Sequence, residues 1–499
     1  MAHFATGFFL LLTSTFAFAA AATPMKPTAS GTAPSHSLKW TACTSPWPQT
    51  FRCSKLQAPL HYDAPQGKPV TLQVVKIPAK NPSKRIGSWV YQEGGPGYAT
   101  SEDVVSYDNT PGFKEVQEVY DIVVMDPRGV GTNYPVKCDP KVINRLIANT
   151  TYPRTEKAWQ DTANAFATVG QDCKTRTGED IWPTLDTQTS ARDLETLRIA
   201  LGEGNLNYYG LSWGTQRGQQ YAQLYPNNIR TMVLDAVLNH AYTLGQVRLS
   251  DALSLTRAIE MFYSWASTNS TSPLYGQDVK SILINFVAQL ERKPIELPAC
   301  ISSGQCHSPL TAENIRTGIF SGLEHTTSFP VLAEKLVQAM QGNFTAWEVL
   351  LTTKESDQPV SFLPISCADW TVPQTYAEFA SWGEAVEAMS GTPLEVSSAA
   401  RSMMIACPKF PIPVVNPNKA FTIANISAPI LIVGSTADPE TGYDMAVSLQ
   451  SQIAGSVLLT RDGEGHGTFG IAPLGEGHKL IVDYIVTGKT PALGTVVST

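Results

Sequence analysis

Gly210-Leu211-Ser212-Trp213-Gly214 places a serine in a Gly-x-Ser-x-Gly setting. It follows the β-prone Asn207-Tyr208-Tyr209 and precedes a helix-like run at 215–225 (TQRGQQYAQLY), which stops before Pro226. A serine on a sharp strand-to-helix turn has its hydroxyl lifted clear of its neighbours, the arrangement called a nucleophile elbow. Small residues two before and two after keep the turn free of clashes. A serine hydroxyl is a weak nucleophile, so it needs an adjacent base that a third group orients. In elbow enzymes those partners follow in the order acid, then histidine.

Two loops supply them. Asp438 follows the apolar run 429–434 (PILIVG), and His466 follows 457–460 (VLLT) in Gly463-Glu464-Gly465-His466-Gly467. On this reading Ser212 attacks a carbonyl and His466 takes its proton, later passing it to the leaving group. Asp438 accepts from the other ring nitrogen and stabilises the imidazolium. Rivals exist for both partners: His478 and His240 for the base, and Asp235 for the acid. Asp462 and Glu464 read as loop polar groups. The oxyanion needs fixed N–H donors. The backbone of Trp213, directly after the nucleophile, is one candidate; Gly95, in the Glu93-Gly94-Gly95-Pro96-Gly97 turn, is the other.

The elements that position these residues read as an α/β architecture. Residues 56–77 suggest two β stretches around a Pro/Gly turn. Residues 87–92 (GSWVYQ), 120–125 (YDIVVM), 231–237 (TMVLDAV), 429–434 and 457–460 are strand candidates. Uninterrupted apolar runs of this kind suit parallel strands covered on both faces. Helical spacing at 189–201 and 442–453 alternates with them, which implies a mostly parallel sheet with sites at the carboxyl ends of its strands. Residues 240–424 lack that alternation. Long helical patterns at 253–266, 279–291 and 376–389 suggest a helical cap inserted into the sheet domain. The expected organisation is a signal peptide at 1–22, a flexible segment at 23–37, sheet domain at 38–239, cap at 240–424 and sheet domain again at 425–499.

These motifs resemble the tripeptidyl and prolyl aminopeptidase branch of the α/β-hydrolase superfamily. The resemblance is carried by Gly94-Gly95-Pro96-Gly97, Asp126-Pro127-Arg128-Gly129-Val130-Gly131, and Ala191-Arg192-Asp193-Leu194 with Leu201-Gly202-Glu203. Tyr209 to Thr215, Asp438-Pro439 and the loop of His466 complete it. It implies an α/β-hydrolase fold with an inserted helical cap, and a serine exopeptidase acting on free N-termini. Such an enzyme needs an acidic group to receive the substrate's α-ammonium. Glu93 stands where family members often carry histidine or another residue; it either supplies that acid or braces the loop. Asp369, in Cys367-Ala368-Asp369-Trp370, is a second candidate. The aromatics Trp265, Trp347, Trp370 and Trp382 suit core or pocket wall. An esterase or a hydrolase of small secondary metabolites would use the same machinery. A catalytically silent binding fold is the third alternative.

The whole chain limits the choices further. Its 499 residues, 43% hydrophobic, can bury a large core. A net charge of −7 with no Lys/Arg cluster argues against a nucleic-acid partner. The expected partner is a peptide or small-molecule substrate, and no cofactor or metal is called for. Residues 4–22 are almost wholly apolar and end in small residues, as a secretory signal does, although no Lys or Arg precedes them. A signal anchor is the competing reading; after cleavage no stable membrane association is expected. Eight cysteines fit an oxidising compartment. The proposed pairs are Cys43/Cys53, Cys138/Cys173, Cys300/Cys306 and Cys367/Cys407. Asn149, Asn269, Asn343 and Asn425 head Asn-x-Ser/Thr sequons, as a glycosylated secreted protein would carry.

Overall fold

The computed structural model describes residues 37–108, 110–143, 152–298, 302, 309–348, 360–390, 399–471 and 474–498. The expectations for residues 1–36, Asn149, Cys300 and Cys306 lie outside them. Among the described residues ten strands form one sheet: β1 (Thr41–Ala42), β2 (Arg52–Pro59), β3 (Pro69–Ile77), β4 (Gly87–Gln92), β5 (Tyr120–Val124), β6 (Leu206–Leu211), β7 (Ile229–Asp235), β8 (Ile430–Ala437), β9 (Val457–Glu464) and β10 (Val496–Ser498). Their order across the sheet is β1-β2-β3-β5-β4-β6-β7-β8-β9-β10. The first three are antiparallel; every pairing from β5 to β10 is parallel.

The sequence pattern explains the division. Every residue of β4 and β5 is buried, as strands covered on both faces must be, whereas β2 alternates buried and exposed positions. On one face Trp159, Leu194 and Tyr221, from helices Glu156–Thr177, Thr187–Leu201 and Trp213–Leu224, join Val90, Val123, Tyr208 and Ile432 in one core. On the other, Trp89, Phe113, Tyr209 and Val433 pack with Ile481 and Tyr484 of helix Glu476–Thr487. β9 runs on past the apolar 457–460, because β10 pairs with Thr460, Arg461 and Asp462. That continuation depends on a distant backbone partner, so hydropathy alone gave no sign of it.

Between β7 and β8 the regular elements among the described residues are helices. They have two centres. Leu255, Phe262, Leu283, Ile319, Phe329 and Trp347 make a separate core. Helices Phe362–Asp369 and Ala399–Ala406 instead share the core of the sheet, through Ile365, Met403 and Met404. Helix Leu244–Thr268 belongs to both, contributing Val247 to one core and Phe262 to the other. Its start is set by a capping box, in which Thr243 and Gln246 satisfy each other's backbone N–H groups. Among the described residues, three disulfides join Cys43 to Cys53, Cys138 to Cys173 and Cys367 to Cys407.

Candidate active site

The parallel strands bring the sequence candidates to one edge of the sheet, since β4, β6, β7, β8 and β9 all end there. Ser212 follows β6 directly and opens helix Trp213–Leu224. Its φ of 57° and ψ of −123° are strained for a residue with a side chain. The surrounding contacts hold it in place. Ser212 N–H donates to Asp235 O at 3.0 Å, and Thr215 N–H donates to Ser212 O at 2.8 Å. A Cβ on Gly214 would lie 2.7 Å from Gln92 O, so only glycine lets the elbow approach β4 this closely.

The loop after β4 meets the nucleophile. A Cβ on Gly94 would lie 2.5 Å from Ser212 Cβ and 2.8 Å from its Oγ. Gly95, Pro96, Ser212 and Trp213 line a single pocket of about 120 Å³. Trp213 is the first residue of its helix, so its N–H has no acceptor within the helix. Arg217, fully buried on that helix, donates to Gln92 Oε1 at 2.6 Å and to Ser190 O at 3.3 Å. This tie between elbow helix and β4 had no sequence signal, because Arg217 lies in a polar stretch.

Asp438 is fully buried and His466 Nδ1 lies 3.0 and 3.1 Å from its two carboxylate oxygens. The carboxylate also accepts from the N–H groups of Glu440 (2.9 Å) and Thr441 (3.0 Å) and from Thr441 Oγ1 (3.0 Å). Burial pushes its pKa up, but the nearby imidazole and these hydrogen bonds hold it below the usual carboxylate value. Burial would lower His466; Asp438, Glu440 and Glu324 outweigh that and push it up to about 10.

The rivals have other work. Asp235 Oδ2 accepts from Tyr209 OH at 2.8 Å and from the N–H groups of Thr468 and Phe469 at 2.9 Å each. It therefore anchors the segment that follows His466. Arg461 holds the same loop by donating to the carbonyls of Glu464, Gly465 and Gly467. His240 is buried between Gln220 and Asp369 O, and His478 accepts from Gly470 N–H. Asp462, at an exposed position on β9, accepts from Thr436 Oγ1.

Both expected substrate acids lie in the interior. Asp369 is 0% exposed and does not line the pocket. It accepts from Thr187 N–H (2.9 Å), Thr187 Oγ1, Asn416 Nδ2 (2.9 Å) and Gln216 Nε2 (3.1 Å). Burial, then the charge of Asp186, pushes its pKa up to about 8. It is an interior hydrogen-bond hub, and burial of this kind is invisible in a local motif. Glu93 is buried too; it accepts from Tyr91 OH at 3.2 Å, faces Tyr107 and Asp103, and is absent from the pocket wall.

Two other acidic residues, Glu440 and Asp251, line the pocket with the nucleophile, and Glu324 stands beside Glu440. Glu440 lines the pocket, and its Oε2 lies 3.2 Å from His466 Nε2. Glu324, which follows helix Ala312–Leu323, is half-buried beside it; burial and then the charge of Glu440 push its pKa up to about 8. Its carbonyl accepts from His466 N–H at 2.8 Å. Asp251, on helix Leu244–Thr268, lines the pocket with its Oδ1 unpartnered. Burial, then the charges of Asp438, Asp444 and Glu440, push its carboxyl far up. Glu440 was within reach of sequence reasoning, two residues past Asp438; Glu324 and Asp251 sit in helical patterns that give no such cue.

Residues 90–295 match the family described as "alpha/beta hydrolase fold", and residues 392–497 match "TAP-like protein". The chain has the α/β-hydrolase fold. It is 28% identical over 482 residues to a tripeptidyl aminopeptidase of Streptomyces lividans, covering 91% of this chain and 85% of that one. It is 26% identical over 494 residues to the serine protease Hip1 of Mycobacterium tuberculosis, covering 92% and 90%. A Mycobacterium tuberculosis protein named carboxylesterase B is 26% identical over 444 residues, covering 84% and 81%. In this hydrolase two of the recurring motifs meet: Arg128 of Asp-Pro-Arg-Gly is paired with Asp193 of Ala-Arg-Asp-Leu, 1% and 0% exposed.

Proposed function

We propose that this hydrolase is a secreted serine aminopeptidase that releases short peptides or a residue from free N-termini. Ser212 Oγ attacks the scissile carbonyl while His466 Nε2 takes its proton. The N–H groups of Trp213 and Gly95 receive the oxyanion, and Asp438 steadies the imidazolium. Collapse of the tetrahedral intermediate expels the amine, which carries away the proton from His466. Water then hydrolyses the acyl-enzyme through the same base. The apolar N-terminal run, the sequons and the three disulfides support export.

The observation that carries the peptidase reading is the acidity of the mouth. Glu440 and Asp251 line a pocket that is otherwise mainly apolar, with Phe320, Phe362, Trp370 and Met403, and Glu324 stands beside Glu440. Acidic side chains gathered in a partly dry pocket ionise readily against a cationic guest, and an α-ammonium beside the scissile residue is such a guest. At about 120 Å³ the pocket is near the size of a cavity of about 150 Å³ that holds benzene. It therefore seats one side chain rather than a whole tripeptide. The carboxylesterase-named relative favours a second reading, an esterase with the same triad.

The test compares a tripeptide amide reporter bearing a free N-terminus with its N-acetylated twin, using Ser212→Ala as blank. Cleavage of the free form alone is expected. If neither is cleaved while a simple acyl ester is turned over, the esterase reading stands instead.

A further inference from the structure

The resting histidine is occupied on both sides. Nδ1 faces Asp438 at 3.0 Å, and Nε2, the nitrogen that must face the nucleophile, faces Glu440 at 3.2 Å. Among the described residues no hydrogen bond joins His466 to Ser212 Oγ. An imidazole between two carboxylates is held as the cation, and a cation cannot accept a proton from serine.

We propose that Glu440 gates the general base: it holds His466 Nε2 in the substrate-free enzyme and yields it to Ser212 when a substrate's free ammonium takes over the carboxylate. This rests on the aminopeptidase reading above. The exchange balances. The ammonium replaces the imidazolium as counter-cation of Glu440, and the Nε2 proton passes to water as the imidazole becomes neutral. Nε2 then turns from donor to acceptor and can receive the Ser212 proton. A ligand without the amine leaves Glu440 in place and the base cationic. The amine thus contributes to the chemical step as well as to binding, and specificity of this kind raises kcat rather than only lowering KM.

The other charged groups about His466 do not duplicate this role. Asp438 holds Nδ1. Glu324 and His325 face the ring from the insertion, and Asp251 from helix Leu244–Thr268. Arg461 of β9 faces the loop carbonyls. Only Glu440 has a carboxylate oxygen in ion-pair range of Nε2 among the described residues. Its side chain is 27% exposed, so water and an arriving amine can reach it.

The test uses the full-length protein and an alkyl fluorophosphonate, which phosphonylates a serine activated by its base and carries no amine. Labelling rates are read across pH for wild type and Glu440→Gln, with and without L-alanine amide, after melting curves show both proteins folded. Four effects are expected. Glu440→Gln labels at least several-fold faster than wild type at neutral pH. Its acid limb moves to lower pH, L-alanine amide speeds labelling of wild type, and L-alanine amide leaves Glu440→Gln unchanged. A purely structural role for Glu440 would not move the limb downward. Equal rates and equal limbs in the two proteins would overturn the gate, whatever the natural substrate. A faster Glu440→Gln with a wild type indifferent to L-alanine amide would overturn the ammonium as its trigger. The free and acetylated reporters decide the aminopeptidase reading separately.

Discussion

Arg128 grips Asp193 with two parallel hydrogen bonds, Nε to Oδ2 and Nη2 to Oδ1, each 2.8 Å. Its remaining donors reach the carbonyls of Pro59 and Leu60, so one buried guanidinium ties the loop after β5 to helix Thr187–Leu201 and to the end of β2. Removing one partner leaves an uncompensated buried charge, which costs about 3–5 kcal/mol. Arg128→Ala is therefore expected to lower the denaturant midpoint sharply. The pH profile of the enzyme that remains folded should be unchanged, and urea titration with an activity assay at each pH checks both.

Gly94 is the most sensitive point of the oxyanion loop. Gly94→Ala drives a methyl against Ser212, so the loop must retreat and carry Gly95 with it. Losing one oxyanion donor lowers kcat by about 10²–10³-fold. That loss is expected with a melting temperature close to wild type. Steady-state kinetics beside a thermal melt separates the two effects.

Asp369→Ala should behave in the opposite way. It unseats Thr187, Asn416 and Gln216, and each unsatisfied buried group costs about 1–3 kcal/mol. The preference for a free over an acetylated N-terminus should survive in the folded fraction. A loss of that preference with stability intact would restore Asp369 as a substrate ligand.

The ion pair of the site gives stability a pH dependence. His466 has its folded pKa raised to about 10, so its contribution is complete below the unfolded value of about 6.5 and vanishes as pH rises through 10. Asp438 has a lowered folded pKa, so its contribution is present above about 3.9 and is lost as pH falls through the folded value. The melting-temperature gap between wild type and His466→Gln should be widest near pH 6 and close toward pH 10. A gap that widens with pH would contradict the pairing.

Much of this was legible because the sheet is buried on both faces. The largely apolar runs within β5 and β8 announced parallel strands, and the polar ends of β8 and β9 lay where a carboxyl edge must carry chemistry. Ser212 was legible from glycines that the close packing of the elbow against β4 demands. What was not legible depends on contacts between distant segments. Asp235 and Asp438 both end buried strands, and only the position of the His466 ring distinguishes them. Glu324 reaches His466 from the insertion, more than a hundred residues before it in the chain, and no local pattern marks it. Asp369 looked like a cap acid because sequence shows charge without showing burial.

Recognition of a free amine by the acidic mouth is the central claim. Its most direct test is the ratio of kcat/KM for the free tripeptide amide to that for its acetylated twin, measured in wild type and in the Glu324→Gln, Glu440→Gln double variant. The expected result is a ratio of at least two orders of magnitude in wild type that collapses toward one in the double variant. A ratio near one in wild type, or an undiminished ratio in the double variant, would contradict it.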